Sequence, residues 1–312
     1  MEKMGKSQFI ALIACLAAKP YTMAENSRVK PEEKIEMVRE TKDSESLPDK
    51  KKNGKMQNAF PGSSSPKNFN KKPKRNVKIL ITIDGGSATK KSPITKSLSE
   101  KFNLIYLESG AIFRTVSHVL LKHKMEPKIE NKQKIETFLS DVSWKVSVKN
   151  RHACFVIDGE ILSDKELRSD KLNARVALYS SQFESIQKFC QKVARKVLDY
   201  VKIENSDGLI AEGRTCGTQT FPEADLKFWF NASPDAKIAF RLGEEKEVDD
   251  PLNRDALDKA CPFAPLKEPE NAIRVWTHNR SISQNIYLTS AFIEQKLDEK
   301  NEFSKPDPKS HQ

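Results

Sequence analysis

Ile81-Thr-Ile-Asp-Gly-Gly-Ser-Ala-Thr-Lys-Lys-Ser92 carries an apolar strand into a glycine-containing loop and closes on a lysine–serine pair. The phosphate-binding consensus G-x-x-x-x-G-K-[ST] needs glycines at both ends, so that backbone N–H groups can curl around phosphate oxygens at a helix N-terminus. Gly85 fills the first position, and Lys91 and Ser92 stand where the phosphate-binding lysine and the magnesium-ligating hydroxyl belong. Lys90 replaces the second glycine. A side chain costs roughly 1–2 kcal/mol where the backbone turns left-handed, and it sits where the loop approaches a phosphate closely. Pro93 fits the first turn of a helix but supplies no N–H donor. Alone, the string also reads as a turn between a buried strand and a helix.

Three later segments likewise run from short apolar strands into polar turns, namely Leu104-Ile-Tyr-Leu-Glu-Ser-Gly-Ala-Ile-Phe-Arg114, Gly208-Leu-Ile-Ala-Glu-Gly-Arg-Thr-Cys-Gly-Thr218 and Phe221-Pro-Glu-Ala-Asp-Leu-Lys-Phe-Trp-Phe-Asn-Ala-Ser233. With the loop, they resemble the bacterial cytidylate (CMP) kinase family in order and spacing. That family reads I-T-I-D-G-P-S-G-S-G-K-S-T, then Y-L-D-[ST]-G-A-[IM]-Y-R, then G-L-[IV]-A-[DE]-G-R-D-M-G-T-V-V-F-P-[DE]-A-D-L-K. Ala264-Pro-Leu266 matches a further family A-P-L that follows an arginine-rich lid. The resemblance covers residues 77 to about 300.

Composition bounds the remainder. Residues 24–77 hold 14 Lys and Arg against 8 Asp and Glu, a net +6 of the chain's +11, with little apolar periodicity. Such a segment buries too little surface to offset its ordering entropy, so residues 1–76 are expected to form a disordered basic extension. It reads as a solvated linker or as a tether to nucleic acid or an acidic surface. Phe9-Ile-Ala-Leu-Ile-Ala-Cys-Leu-Ala-Ala18 is too short for the ~20 residues that span a bilayer. It resembles a signal-peptide core, Leu12-Ile-Ala-Cys15 being like a lipoprotein cleavage box, but an ATP-dependent domain favours the cytoplasm. An incidental segment or an over-extended start upstream of Met23 are the other readings. The five cysteines (15, 154, 190, 216 and 261) show no metal spacing and read as reduced thiols.

From residue 76 apolar runs alternate with helical segments. Val77-Lys-Ile-Leu-Ile-Thr-Ile83, 104–107, 208–211, 226–230 and 273–276 read as strands, and 92–102, 110–124, 182–203 and 288–299 as helices, with Ser233 capping another. Val142-Ser-Trp-Lys-Val-Ser-Val148 alternates with period two, and Ala153-Cys-Phe-Val-Ile157 leads into an Asp-Gly turn at 158–159. Strand–helix alternation predicts an α/β parallel sheet covered on both faces, with ligands at the carboxyl ends of its strands. The resemblance makes this a P-loop nucleoside monophosphate kinase fold over residues 77–302. It implies a small antiparallel insert lobe at about 140–175, a lid at about 244–263 and a flexible tail at 303–312.

The resemblance also assigns roles. Gly85, Gly86, Ser87, Ala88, Thr89, Lys90, Lys91, Ser92 and Pro93 would bind ATP, and Ser92 would ligate Mg2+, with Asp84 or Glu212 orienting metal-bound water. Both carboxylates read equally as ordinary strand ends. Ser109, Arg114, Arg214 and Arg254 would bind the acceptor CMP or dCMP, and Lys91, Arg214 and Arg254 would serve catalysis. Other positions depart from the pattern. Thr215 replaces an aspartate, Cys261 an arginine, and Ala174 and Glu184 fall near a base-reading serine and arginine. The lid stretch Asp250-Pro-Leu-Asn-Arg-Asp-Ala-Leu-Asp-Lys-Ala-Cys261 keeps one arginine and one lysine. An arginine stabilising transition-state charge is worth roughly 10³–10⁵ in rate. Three readings stay open: a slow monomeric (d)CMP kinase, a pseudokinase that binds nucleotides or partners, and a phosphotransferase with another acceptor.

Overall fold

The computed structural model describes residues 78–167, 169–243 and 251–303. The expectations for residues 1–76, for 304–312 and for 244–250 of the lid lie outside the described residues. Among the described residues the strands are β1 (Ile79–Gly85), β2 (Leu104–Glu108), β3 (Trp144–Lys149), β4 (His152–Ile157), β5 (Gly208–Gly213), β6 (Leu226–Asn231) and β7 (Ile273–Trp276). The helices are α1 (Lys91–Phe102), α2 (Ser109–Lys122), α3 (Lys132–Asp141), α4 (Asp164–Leu167), α5 (Asp170–Gln182), α6 (Glu184–Lys196), α7 (Tyr200–Ile203), α8 (Pro234–Leu242), α9 (Pro251–Lys259) and α10 (Ile282–Phe303). No helix among the described residues is long and apolar enough to cross a membrane.

The strands form one sheet in the order β3-β4-β2-β5-β1-β6-β7, parallel except for β3. β1 lies between β5 and β6, which is why it is apolar almost throughout: a parallel strand covered on both faces has no solvent side. Side-chain alternation divides the core in two. Ile105 and Leu107 of β2 and Leu209 and Ala211 of β5 pack with α2, α3 and α6, while Leu104, Ile210 and the β1 isoleucines pack with α1 and α10.

The Asn150–Arg151 turn between β3 and β4 has both residues at positive φ, the geometry that suits two-residue hairpins. The Asp-Gly turn follows β4, with Glu160 N–H donating to the Ile157 carbonyl at 2.9 Å. This hairpin joins the sheet edge through one residue pair, Tyr106 with His152. Ser233 caps α8 as expected, accepting the Ala236 N–H at 3.3 Å, with Pro234 in the first turn.

The helices depart from expectation in several places, α5 and α9 among them, which form in stretches where no helix is expected. The helix expected over 182–203 is broken at its start by Phe183, extended (φ −124°, ψ 107°) and buried between α5 and α6, and it ends at Lys196 before a 3-10 turn and the short α7. Burial of the Phe183 ring decides that backbone, a tertiary effect absent from helical periodicity. Residues 132–141, where the sequence pattern predicts no element, form α3 by burying Ile135 and Leu139 one turn apart.

Phe228, fully buried on β6, stacks edge-on against Phe230 (6.4 Å between centroids) and Phe292 (6.2 Å). Phe228→Ala is expected to cost about 3–5 kcal/mol in urea unfolding with an unchanged m-value. A loss below about 1 kcal/mol would show that β6 does not hold the α10 face of the core.

Candidate active site

The loop leaving β1 passes through left-handed backbone twice before α1, at Ala88 (φ 51°) and Lys90 (φ 59°, ψ 24°). The strain expected at Lys90 is therefore present, and Ala88 adds a second instance. The family pattern has glycine at both places, so Ala88 is legible in the sequence but escapes a reading of the G-x-x-x-x-G-K-S consensus alone. Lys90 recovers part of its cost, because its ammonium lies 4.4 Å from the centre of the Phe240 ring on α8. Pro93 is the third residue of α1, where a backbone N–H has no intrahelical acceptor to lose. Gly85 has no substitute: a Cβ there would lie 2.1 Å from the Phe230 carbonyl oxygen.

Lys91 folds over this loop, its Nζ donating to the carbonyls of Gly86 (2.6 Å) and Gly85 (3.0 Å) and to Thr89 Oγ1 (3.3 Å). Burial and then the nearby Arg214 guanidinium depress its pKa to about 8, against the opposing pull of Glu212, Asp255 and Asp84. Ser92 donates its hydroxyl proton to Glu212 Oε1 at 2.6 Å. Burial followed by the Glu108 carboxylate raises the Glu212 pKa, against the opposing pull of the Ser92 hydroxyl, Lys91 and the Tyr106 hydroxyl.

Of the two carboxylates weighed for metal-bound water, Asp84 is already engaged. Its oxygens accept the N–H groups of Cys216 (2.8 Å) and Gly217 (2.6 Å), which open the turn after β5. Burial outweighs those bonds and pushes its pKa up to about 6. Glu212 Oε2 and the Ser92 hydroxyl are the hard oxygens suited to Mg2+, which keeps most of its shell for water and phosphate. Among the described residues no cluster of three His, Cys, Asp or Glu could hold a metal by itself.

One cleft of about 290 Å³ gathers the loop from Ser87 to Pro93 with Arg114, Glu212, Arg214, Thr215, Arg254 and Cys261. The substituted positions Thr215 and Cys261 thus face the same space as the retained arginines. Arg114 is steadied by Glu108 Oε1 (2.7 Å) and Asn173 Oδ1 (3.2 Å). Ser109 stands just behind, donating to the Glu212 carbonyl at 2.9 Å. Glu184 is turned to the surface, where it pairs with Lys188 at 3.0 Å, and Gln187 of α6 faces the cleft instead. Three residues at about 100° each leave Gln187 only about 60° round the helix from Glu184 and nearly one turn further along it, so the cleft takes the residue one turn in from the start of α6. Ala174 lies on α5, which lines the cleft with Asn173, Val176 and Ser180.

The sequence reading missed four charged residues. Lys237 and Arg241 sit one turn apart on α8, and Asp255 and Asp258 lie three apart on α9. Arg214 Nη1 donates to Asp255 Oδ1 (3.0 Å) and also pairs with Asp258. The i, i+3 and i, i+4 spacings were visible, but helical spacing alone does not say which face meets the site.

The cytidylate kinase family model matches residues 81–295. A bifunctional pantoate ligase/cytidylate kinase of Prochlorococcus marinus strain MIT 9301 is 32% identical over 217 residues, 66% of this chain and 41% of that relative. The chain therefore spans about two fifths of the length of that bifunctional protein. A cytidylate kinase of Aquifex aeolicus is 31% identical over 216 residues, 66% of this chain and 91% of its own. One from Clostridium tetani is 27% identical over 229 residues, 70% and 95% respectively.

Ala88→Gly removes left-handed strain without losing a contact of the Lys90–Phe240 kind, so it should stabilise the protein by up to about 1 kcal/mol. Lys90→Gly should be near neutral, because the relieved strain is offset by the lost cation–π contact and by glycine's greater chain entropy; thermal unfolding of both variants compares them. For Asp84 the native pKa of about 6 exceeds the unfolded 3.8. The native state then holds more protons between these values, so this group's contribution to stability declines as pH rises from about 4 to 6. Unfolding free energies of the wild type minus those of Asp84→Asn should fall by a few kcal/mol, on the order of 1.4 per pH unit, across that window. A flat difference would show that folding does not raise the Asp84 pKa.

Proposed function

Because the chain belongs to the cytidylate kinase family, we propose that it transfers the γ-phosphoryl group of ATP to the phosphate of CMP or dCMP. The observation that carries this reading is the convergence of Lys91, the Ser92–Glu212 pair, Arg114 and Arg214 on one cleft at the carboxyl ends of β1 and β5. An acceptor phosphate oxygen attacks the γ-phosphorus, and the bond from that phosphorus to the β–γ bridging oxygen breaks, its electron pair leaving with ADP. Such transfer asks the protein for charge and position rather than covalent chemistry. Lys91 and Arg214 supply positive charge on the donor side, and Arg114, oriented by Glu108 and Asn173, forks onto the acceptor phosphate. Mg2+ held at Ser92 and Glu212 would neutralise charge on the β- and γ-phosphates.

Turnover is slow in this reading. Cys261 brings a neutral thiol to a cleft position where the family pattern has an arginine, and Thr215 removes a carboxylate. A second reading, a nucleotide-binding module with negligible turnover, draws on those same two residues.

Magnesium-dependent ATP consumption by the full chain, with CMP, dCMP and a panel of other nucleoside monophosphates, tests the assignment. Stimulation by CMP or dCMP is expected, falling by about two orders of magnitude or more in Lys91→Ala and in Glu212→Gln. Stimulation by a different monophosphate would overturn the acceptor. ATP binding without turnover would favour the second reading.

A further inference from the structure

Asp255, in the second turn of α9, is 5% exposed and sits against the mouth of the phosphate loop. Its Oδ1 accepts the Ser87 N–H at 2.7 Å and Arg214 Nη1 at 3.0 Å, and its Oδ2 accepts Lys237 Nζ at 2.7 Å. A loop N–H, an arginine and a lysine are the donors with which proteins hold a phosphoryl oxygen. Here a carboxylate of the same chain takes all three. Burial alone would raise the Asp255 pKa, but Arg214, Lys237 and the Ser87 N–H overcome it and hold the carboxyl below its ordinary value, so it is ionised at neutral pH.

The approach is close. A Cβ on Gly86 would lie 2.3 Å from Asp255 Oδ2 and 2.8 Å from Lys237 Nζ. A side chain here would press on the ends of both the Asp255 and Lys237 side chains, and the family pattern has proline at this place.

We propose that Asp255 is an internal phosphate mimic whose carboxylate occupies a phosphoryl subsite of the ATP loop, so that a nucleotide binds only by expelling it. This rests on reading the loop as the ATP phosphate cradle. Two anions cannot share the Ser87, Arg214 and Lys237 donors without severe like-charge repulsion. The affinity measured for ATP is then its intrinsic affinity reduced by the fraction of molecules in which Asp255 has left. Asp258, which also pairs with Arg214, gives that arginine a partner in the same helix after Asp255 departs.

The test measures binding, so it is independent of phosphoryl transfer. Inorganic tripolyphosphate is titrated calorimetrically, without magnesium, into the full-length wild type, Asp255→Asn, Gly86→Ala and Lys91→Ala/Asp255→Asn. Asp255→Asn removes the competing charge, and Gly86→Ala crowds the carboxylate and the Lys237 ammonium beside it. Each should tighten tripolyphosphate binding about tenfold or more, and the double variant should lose that gain. Unchanged or weaker binding in the folded single variants would overturn the proposal, because that is what a static brace for Arg214 and Lys237 predicts. Absence of binding in every protein would overturn it together with the cradle reading. If Asp255→Asn does not fold, Gly86→Ala carries the test alone. CMP-stimulated turnover in the wild type, with no gain in tripolyphosphate affinity in either variant, would leave the kinase reading standing and remove the mimic.

Discussion

β1 is hydrogen-bonded along both edges, to β5 and to β6, and the placement of the active groups depends on that double pairing. Asp84 stands level with Gly213, and Gly85 with Phe230, so the chain turns between two parallel strands that end at the same height. From this one rim come Lys91 and Ser92 after β1, Glu212 and Arg214 at the end of β5, and Lys237 on the helix that follows β6. Asp84 ties two of these loops together by accepting the first N–H groups of the turn at Cys216. It does so at an electrostatic cost, visible in its raised pKa. A buried carboxylate is tolerable there because its bonds are to backbone, which no substitution of the Cys216 side chain can remove.

The second organising feature is charge balance in the cleft. Arg114 has Glu108, Arg214 has Asp255 and Asp258, Lys237 has Asp255, and Lys91 leans on loop carbonyls with Glu212 nearby. Unpaired cations in a partly buried pocket would repel one another and incur a desolvation penalty. Internal carboxylates relieve this in the absence of a phosphate. The same pairing means that any incoming phosphate must compete with acids already in place.

The loop itself shows how a motif can be degraded and still hold its shape. Two left-handed residues other than glycine would together cost on the order of 2–4 kcal/mol, a large part of the net stability of an ordinary domain. The loop keeps its course because its neighbours fix it. Phe230 leaves no space beside Gly85, Thr89 Oγ1 donates to the Gly86 carbonyl at 3.0 Å, and Phe240 offers its ring to the Lys90 ammonium.

Strand positions, the phosphate loop and the Ser233 cap were legible in the residues because each is a local property: apolar runs, a glycine at a strand end with Lys-Ser following at the start of a helix, a hydroxyl before Pro. Family motifs extended this to Arg114 and Arg214. The break at Phe183, the choice of Gln187 over Glu184, and the seating of Asp255 against Ser87, 168 residues away, were decided by packing. Periodicity specifies that a helix has faces, but which face meets the site depends on how the helix is docked. A carboxylate 168 residues distant reaches a loop N–H only when the intervening sheet and helices have set the distance, and no local pattern encodes that sum of packings.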